Sequence, residues 1–179
     1  RLVYPARCPV CDDIVQSQES ALCDTCKTKL IYVGELRCKK CGKTVEQLEI
    51  EYCFDCTKGH HLYERGYPVF EYNESIKNSI FRFKYGNRRE YAKFYGKEIV
   101  RRHGRWLIEE KFDLIIPVPL SKRRLSKRGF NQAELIADVV GQYLRIPVDT
   151  VSLRKNKDTR SQKKLNHTQR QKNLKNAFK

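Results

Sequence analysis

With 179 residues, 40% of them hydrophobic and 32% charged, the chain has material for one or two small domains. No apolar run approaches the ~18 residues of a membrane-spanning helix, and the basic, cysteine-bearing start lacks a signal-peptide pattern. The formal charge of +16 fits a polyanionic partner: a phosphorylated ligand, DNA or RNA.

That charge is unevenly spread. Lys plus Arg against Asp plus Glu stands at 9 to 9 in residues 1–60, 12 to 8 in 61–118 and 16 to 4 in 119–179. The last third therefore holds +12 of the excess. The chain starts at Arg1 and contains no Met, which points to a partial sequence.

Eight cysteines come as four pairs, Cys8/Cys11, Cys23/Cys26, Cys38/Cys41 and Cys53/Cys56, each starting fifteen residues after the last. Two residues between thiols let both sulfurs turn toward one ion, and two such knuckles supply the tetrahedral sulfur set that Zn²⁺ accepts. Two structural zinc sites are expected, with no open coordination position for catalysis. Either consecutive pairs share an ion, or the first joins the third and the second the fourth. Gly42, directly after Cys41, suits the positive φ that follows a knuckle. The close, regular spacing argues against a disulfide framework, and one redox CxxC would suffice for thioredoxin-like chemistry. An iron–sulfur site would use the same ligands, but nothing else in the module suggests electron transfer. A module of about 60 residues with so few large apolar side chains needs its metal to fold.

After Cys56, His60 and His61 read as solvated linker histidines, because the cysteines already complete both sets. Tyr67–Tyr72 alternate as a strand, Asn73 is placed to cap, and Ile76, Ile80, Phe81 and Phe83 follow on a short helix. Lys84 precedes a Gly86-Asn87 turn that would hold it near a ligand. A second helix is predicted over about 90–108, with Tyr91, Phe94, Tyr95, Ile99 and Trp106 facing a core and cations snorkelling outward.

Residues 112–119, FDLIIPVP, read as a buried strand ended by prolines. A cationic loop, SKRRLSKRG, and a helix from about Asn131 follow, with Leu135, Ile136, Val139, Val140 and Leu144 at helical spacing. Strand, basic loop and helix together predict an α/β fold with an anion site at the strand's carboxyl end.

Several strings now carry a likeness: the four CxxC pairs, FRFKY at 81–85, IPVPLSKRRLSKRGFNQAELIA at 116–137 and QKKLNHTQRQKNLKNAF at 162–178. Together they resemble the ComF family of competence-associated proteins. The resemblance implies a double zinc ribbon over residues 1–60 and a type I phosphoribosyltransferase-like parallel-sheet domain beginning at 61–179. It implies a pyrophosphate-facing loop over 117–122, with Lys84, Lys122, Arg123, Arg124 and Arg128 as cationic contacts. Gly129, Phe130, Asn131 and Gln132 would form the signature turn. Gln162, Leu165, Arg170 and Asn173 would stand on a lid over 157–173.

The likeness also exposes a gap. The acidic pair and the Thr- and Gly-rich loop that hold ribose phosphate in that fold do not occur before Lys179. The domain is thus expected to be incomplete and this chain alone inactive. A phosphoribosyltransferase using phosphoribosyl pyrophosphate with Mg²⁺ is implied only for a longer protein. The main functional expectation is a cytoplasmic role in DNA uptake and transformation, at or beside single-stranded DNA. The alternative is a zinc module that docks a competence helicase or another DNA-uptake protein.

Overall fold

A computed structural model describes residues 5–15, 21–59, 61–162 and 165–179; His60, expected in the linker, and Lys163 and Lys164, within the expected lid, lie outside them. The chain divides into two compact units, residues 1–82 and 83–179.

The first unit is built on a thirty-residue repeat. Around the first knuckle, Arg7 and Ile14 form an antiparallel bridge, Cys8 N donates to Asp13 O at 2.8 Å, and Asp12 takes φ +72. Around the third, the same roles fall to Arg37 and Thr44, to Cys38 N and Lys43 O at 2.8 Å, and to Gly42 at φ +75. The second and fourth knuckles are each a helical turn, α1 (Asp24–Lys27) and α2 (Phe54–Lys58), preceded by Cys23 and Cys53. Gly42 is obligatory on two counts. Its φ suits glycine, and a Cβ would stand 2.7 Å from Gly66 O and collide with the Pro68 ring. Tyr32 and Phe70 meet in a single bridge where a strand over 67–72 was expected. Helix α3 (Glu74–Tyr85) begins where the Asn73 side chain accepts from Ile76 N at 3.0 Å.

In the second unit, α4 (Tyr91–Glu109) packs along α6 (Gln132–Leu144). Tyr91, Phe94 and Tyr95 are buried on one face of α4, and the Phe83 ring stacks on Tyr95 at 5.7 Å and Phe130 at 5.9 Å. Gly96 lets the two helices approach at Val139. The expected basic loop is a helix, α5 (Lys122–Arg128). Lys, Arg and Leu are good helix formers, and Gly129, at φ +78, ends it by donating to Leu125 O at 2.7 Å. The final helix, α7 (His167–Leu174), starts with a reciprocal capping box between Asn166 and Gln169.

The expected parallel sheet is absent. Among the described residues there is no strand, only five isolated bridges, of which Ile115 with Val148 is the one parallel pair. Ile115 N donates to Pro147 O and accepts, through its carbonyl, from Asp149 N, both at 2.9 Å. The ladder goes no further, because Pro117, Pro119 and Pro147 bring no amide. Nor is the segment buried on both sides: Pro117 is buried, but Leu114, Ile116 and Val118 are 40–61% exposed. The α/β phosphoribosyltransferase-like domain is therefore corrected to a helical one, and the Mg²⁺–phosphoribosyl pyrophosphate site loses its scaffold with it.

Candidate metal centres

The knuckle backbone gathers the eight sulfurs into two sets. Cys8, Cys11, Cys23 and Cys26 form one and Cys38, Cys41, Cys53 and Cys56 the other, with the sulfurs of each set within 4.8 Å of one another. Consecutive pairs thus share a centre, which decides between the two arrangements that spacing alone allows. Cys8, Cys26, Cys38 and Cys53 are buried and the other four half-buried. Across each centre one pair of sulfurs, Cys11 with Cys23 and Cys41 with Cys53, comes to 3.7 Å.

The electrostatics suit a cation. Burial works to raise Cys8, but the backbone N–H groups of Cys23, Cys11 and Val10 outweigh it and bring the thiol down to about 7. In the second centre burial is likewise opposed by the amides of Cys41, Cys53 and Lys40, which bring Cys38 down to about 6. Burial raises Cys11 and Cys41, lifts Cys26 to about 11 and pushes Cys56 up to about 12. Each centre alone thus sets one lowered thiol, Cys8 or Cys38, beside two raised thiols that hold their protons. A divalent ion supplies the charge that lets all four ionise. The donor set fits Zn²⁺: two structural sites, each held by four cysteines. Val45 packs on the second centre together with Cys38 and Cys53.

The residues implied by the resemblance for anion binding fall among two sets of partners. On α5, Arg124 donates to Thr159 O at 2.6 Å, while Arg123 stands 3.9 Å from the Asp158 carboxylate, which also takes the Ser121 hydroxyl. Lys155 is lowered by burial and then by the Arg124 charge. Asp158, unremarked in the sequence, thus neutralises part of this cationic group. Arg128 instead donates to the Gln132 amide and lies over the Tyr85 ring. Lys122 is exposed and Lys84 half-buried at the end of α3.

The signature residues do structural work. Phe130 is buried, and the Asn131 side chain accepts from Ala133 N at 3.1 Å to cap α6 while donating to Val118 O at 3.2 Å. Farther on, Asn173 holds Arg160 by both backbone groups, at 3.1 and 3.0 Å, and Arg170 donates to Leu165 O at 2.9 Å. The buried Gln162 amide has no hydrogen-bond partner among the described residues. The pairing of Tyr85 with Arg128 escaped the sequence reading, since 43 residues separate them in the chain.

The double zinc ribbon domain family matches residues 1–57. Competence protein F of Haemophilus influenzae is 30% identical over 179 residues, covering 96% of this chain and 75% of that protein. Competence protein ComFC of Bacillus subtilis is 27% identical over 152 residues, 82% of this chain and 60% of the relative. DNA utilization protein YhgH of Escherichia coli (strain K12) is 26% identical over 180 residues, 99% of this chain and 78% of that protein. The chain thus spans between 60% and 78% of these relatives. No solved structure matches it. With that identity carried across three quarters of Competence protein F, the chain belongs to the Competence protein F family.

Proposed function

We propose that this chain handles single-stranded DNA in the cytoplasm as part of competence, its basic second unit carrying the strand and its zinc ribbons serving as a rigid module. The observation that carries this reading is the distribution of charge over the two units. Residues 1–82 hold 12 cationic and 12 acidic side chains, and residues 83–179 hold 25 and 9. The entire +16 therefore belongs to the second unit. Relatives named for competence and for DNA utilization support DNA as the polyanion.

Backbone binding of this kind releases counterions and weakens with salt. A labelled oligonucleotide followed by fluorescence anisotropy should lose about 100-fold in affinity between ~50 and ~200 mM salt if about five phosphates are engaged. Affinity that does not change over that range sinks the reading.

A second role for the ribbons has its own support. The first unit is neutral overall and exposes Leu48 (81%), Phe54 (69%) and Leu62 (105%). Large exposed apolar side chains on a neutral module suit a protein partner better than a nucleic acid, and a DNA-uptake helicase is the expected one. Replacing Leu48 and Phe54 by Ser should abolish capture of that helicase and leave DNA affinity unchanged. Loss of DNA affinity instead would place the ribbons in the DNA contact.

A further inference from the structure

Tyr85 ends α3 and is 61% exposed, although Phe83, two residues before it, is only 2% exposed. The Arg128 guanidinium lies 5.1 Å from the Tyr85 ring centroid and is held by the Gln132 side-chain oxygen. Directly after Tyr85 the chain turns through Gly86 and Asn87, the latter at φ +52, and delivers Arg88 and Arg89. Arg89 is fixed in turn, donating to Gly129 O at 3.1 Å and lying 5.1 Å over the Phe130 ring. Phe130 is buried and belongs to the core, whereas Tyr85 is exposed, with Arg128 over its ring and Arg88 and Arg89 following it in the chain.

An exposed ring among fixed cations matches the chemistry of an unpaired nucleotide. Bases stack on aromatic faces whatever their identity, while guanidinium groups take the neighbouring phosphates. A paired base offers no free face, so this arrangement discriminates single strands from duplex. We propose that Tyr85 and Arg128 form a stacking platform for one unpaired base of a single-stranded nucleic acid, with Arg88 and Arg89 on the flanking phosphates. It rests on the reading of the second unit as a polyanion binder and names the contact that makes it selective for single strands.

The test uses the full chain, loaded with zinc, and two strands of about 12 nucleotides: oligo-dT and an abasic strand of the same phosphate count. The wild type should bind dT about 5- to 100-fold more tightly than the abasic strand. Tyr85→Ala should remove that preference while abasic affinity stays put, and Tyr85→Phe should restore it. Oligouridine binding with the same Tyr85 dependence supports the platform and extends it to RNA. If Tyr85→Ala keeps the full preference for dT, the platform is wrong although the polyanion reading stands. If neither strand binds, both fall. Should Tyr85→Ala fail to fold, photocrosslinking the wild type to 5-iodouracil DNA replaces it. An adduct on Tyr85 supports the platform, and adducts confined to other residues overturn it.

Discussion

Cys38 and Cys8 are the thiols that neighbouring amides hold low, at about 6 and about 7. Their partners Cys11, Cys26, Cys41 and Cys56 are raised, chiefly by burial. A metal must therefore displace protons from the raised thiols, so zinc affinity should fall as pH drops. At about pH 8, well below the values of about 11 for Cys26 and about 12 for Cys56, calorimetry in two buffers should register proton release. Two or more protons per ion are expected from the two raised thiols of each set; no release would mean the thiols ionise without the metal. Cys38→Ser should cut bound zinc from two ions to one by elemental analysis, leaving the Cys8 centre loaded. The ligands were legible because CxxC spacing constrains them locally. Their pairing was not, because pairs at a constant fifteen-residue interval fit consecutive and crossed sharing alike. The folded backbone decides it, bringing the Cys23 amide onto Cys8.

Helices α4 and α6 illustrate what periodicity conveys and what it misses. Apolar spacing placed α4 and the start of α6 near their observed bounds, Tyr91–Glu109 and Gln132–Leu144, since each helix satisfies its own backbone. The run at 112–119 has the composition of a strand, but a strand needs a partner over several residues, and here only Ile115 finds one. Basic residues obscured α5, whose end is set by Gly129. Close approach of the packed helices depends on Gly96. A Cβ there would lie 2.5 Å from Val139 Cγ1 and 2.6 Å from its Cβ. Gly96→Ala should destabilise the second unit by about 1–3 kcal/mol, read by chemical denaturation. Adding Val139→Ala should recover part of that loss, and strict additivity would show that the clash is not with Val139.

At the scale of the molecule, charge was readable in advance because it needs only counting, whereas the absence of a sheet depends on long-range pairing that composition does not report. Four of the nine buried hydrophobic residues described in the first unit are metal-centre cysteines. Apolar burial alone is too small to hold it, and zinc binding on the order of 10–16 kcal/mol per site in small peptides is the larger contribution. A strong chelator should therefore abolish amide protection in residues 5–15 and 21–59 by hydrogen exchange while α4 and α6 stay protected. Retained protection in the ribbons would show that their core suffices without metal. The thirty-residue repeat adds a consequence of its own. Because each loop-and-turn closes around its own four sulfurs, the halves are interchangeable parts of the kind a tandem duplication leaves behind. A chimaera carrying two copies of the latter half should still fold and load both ions, with divergence between them confined to what each displays on its outer face.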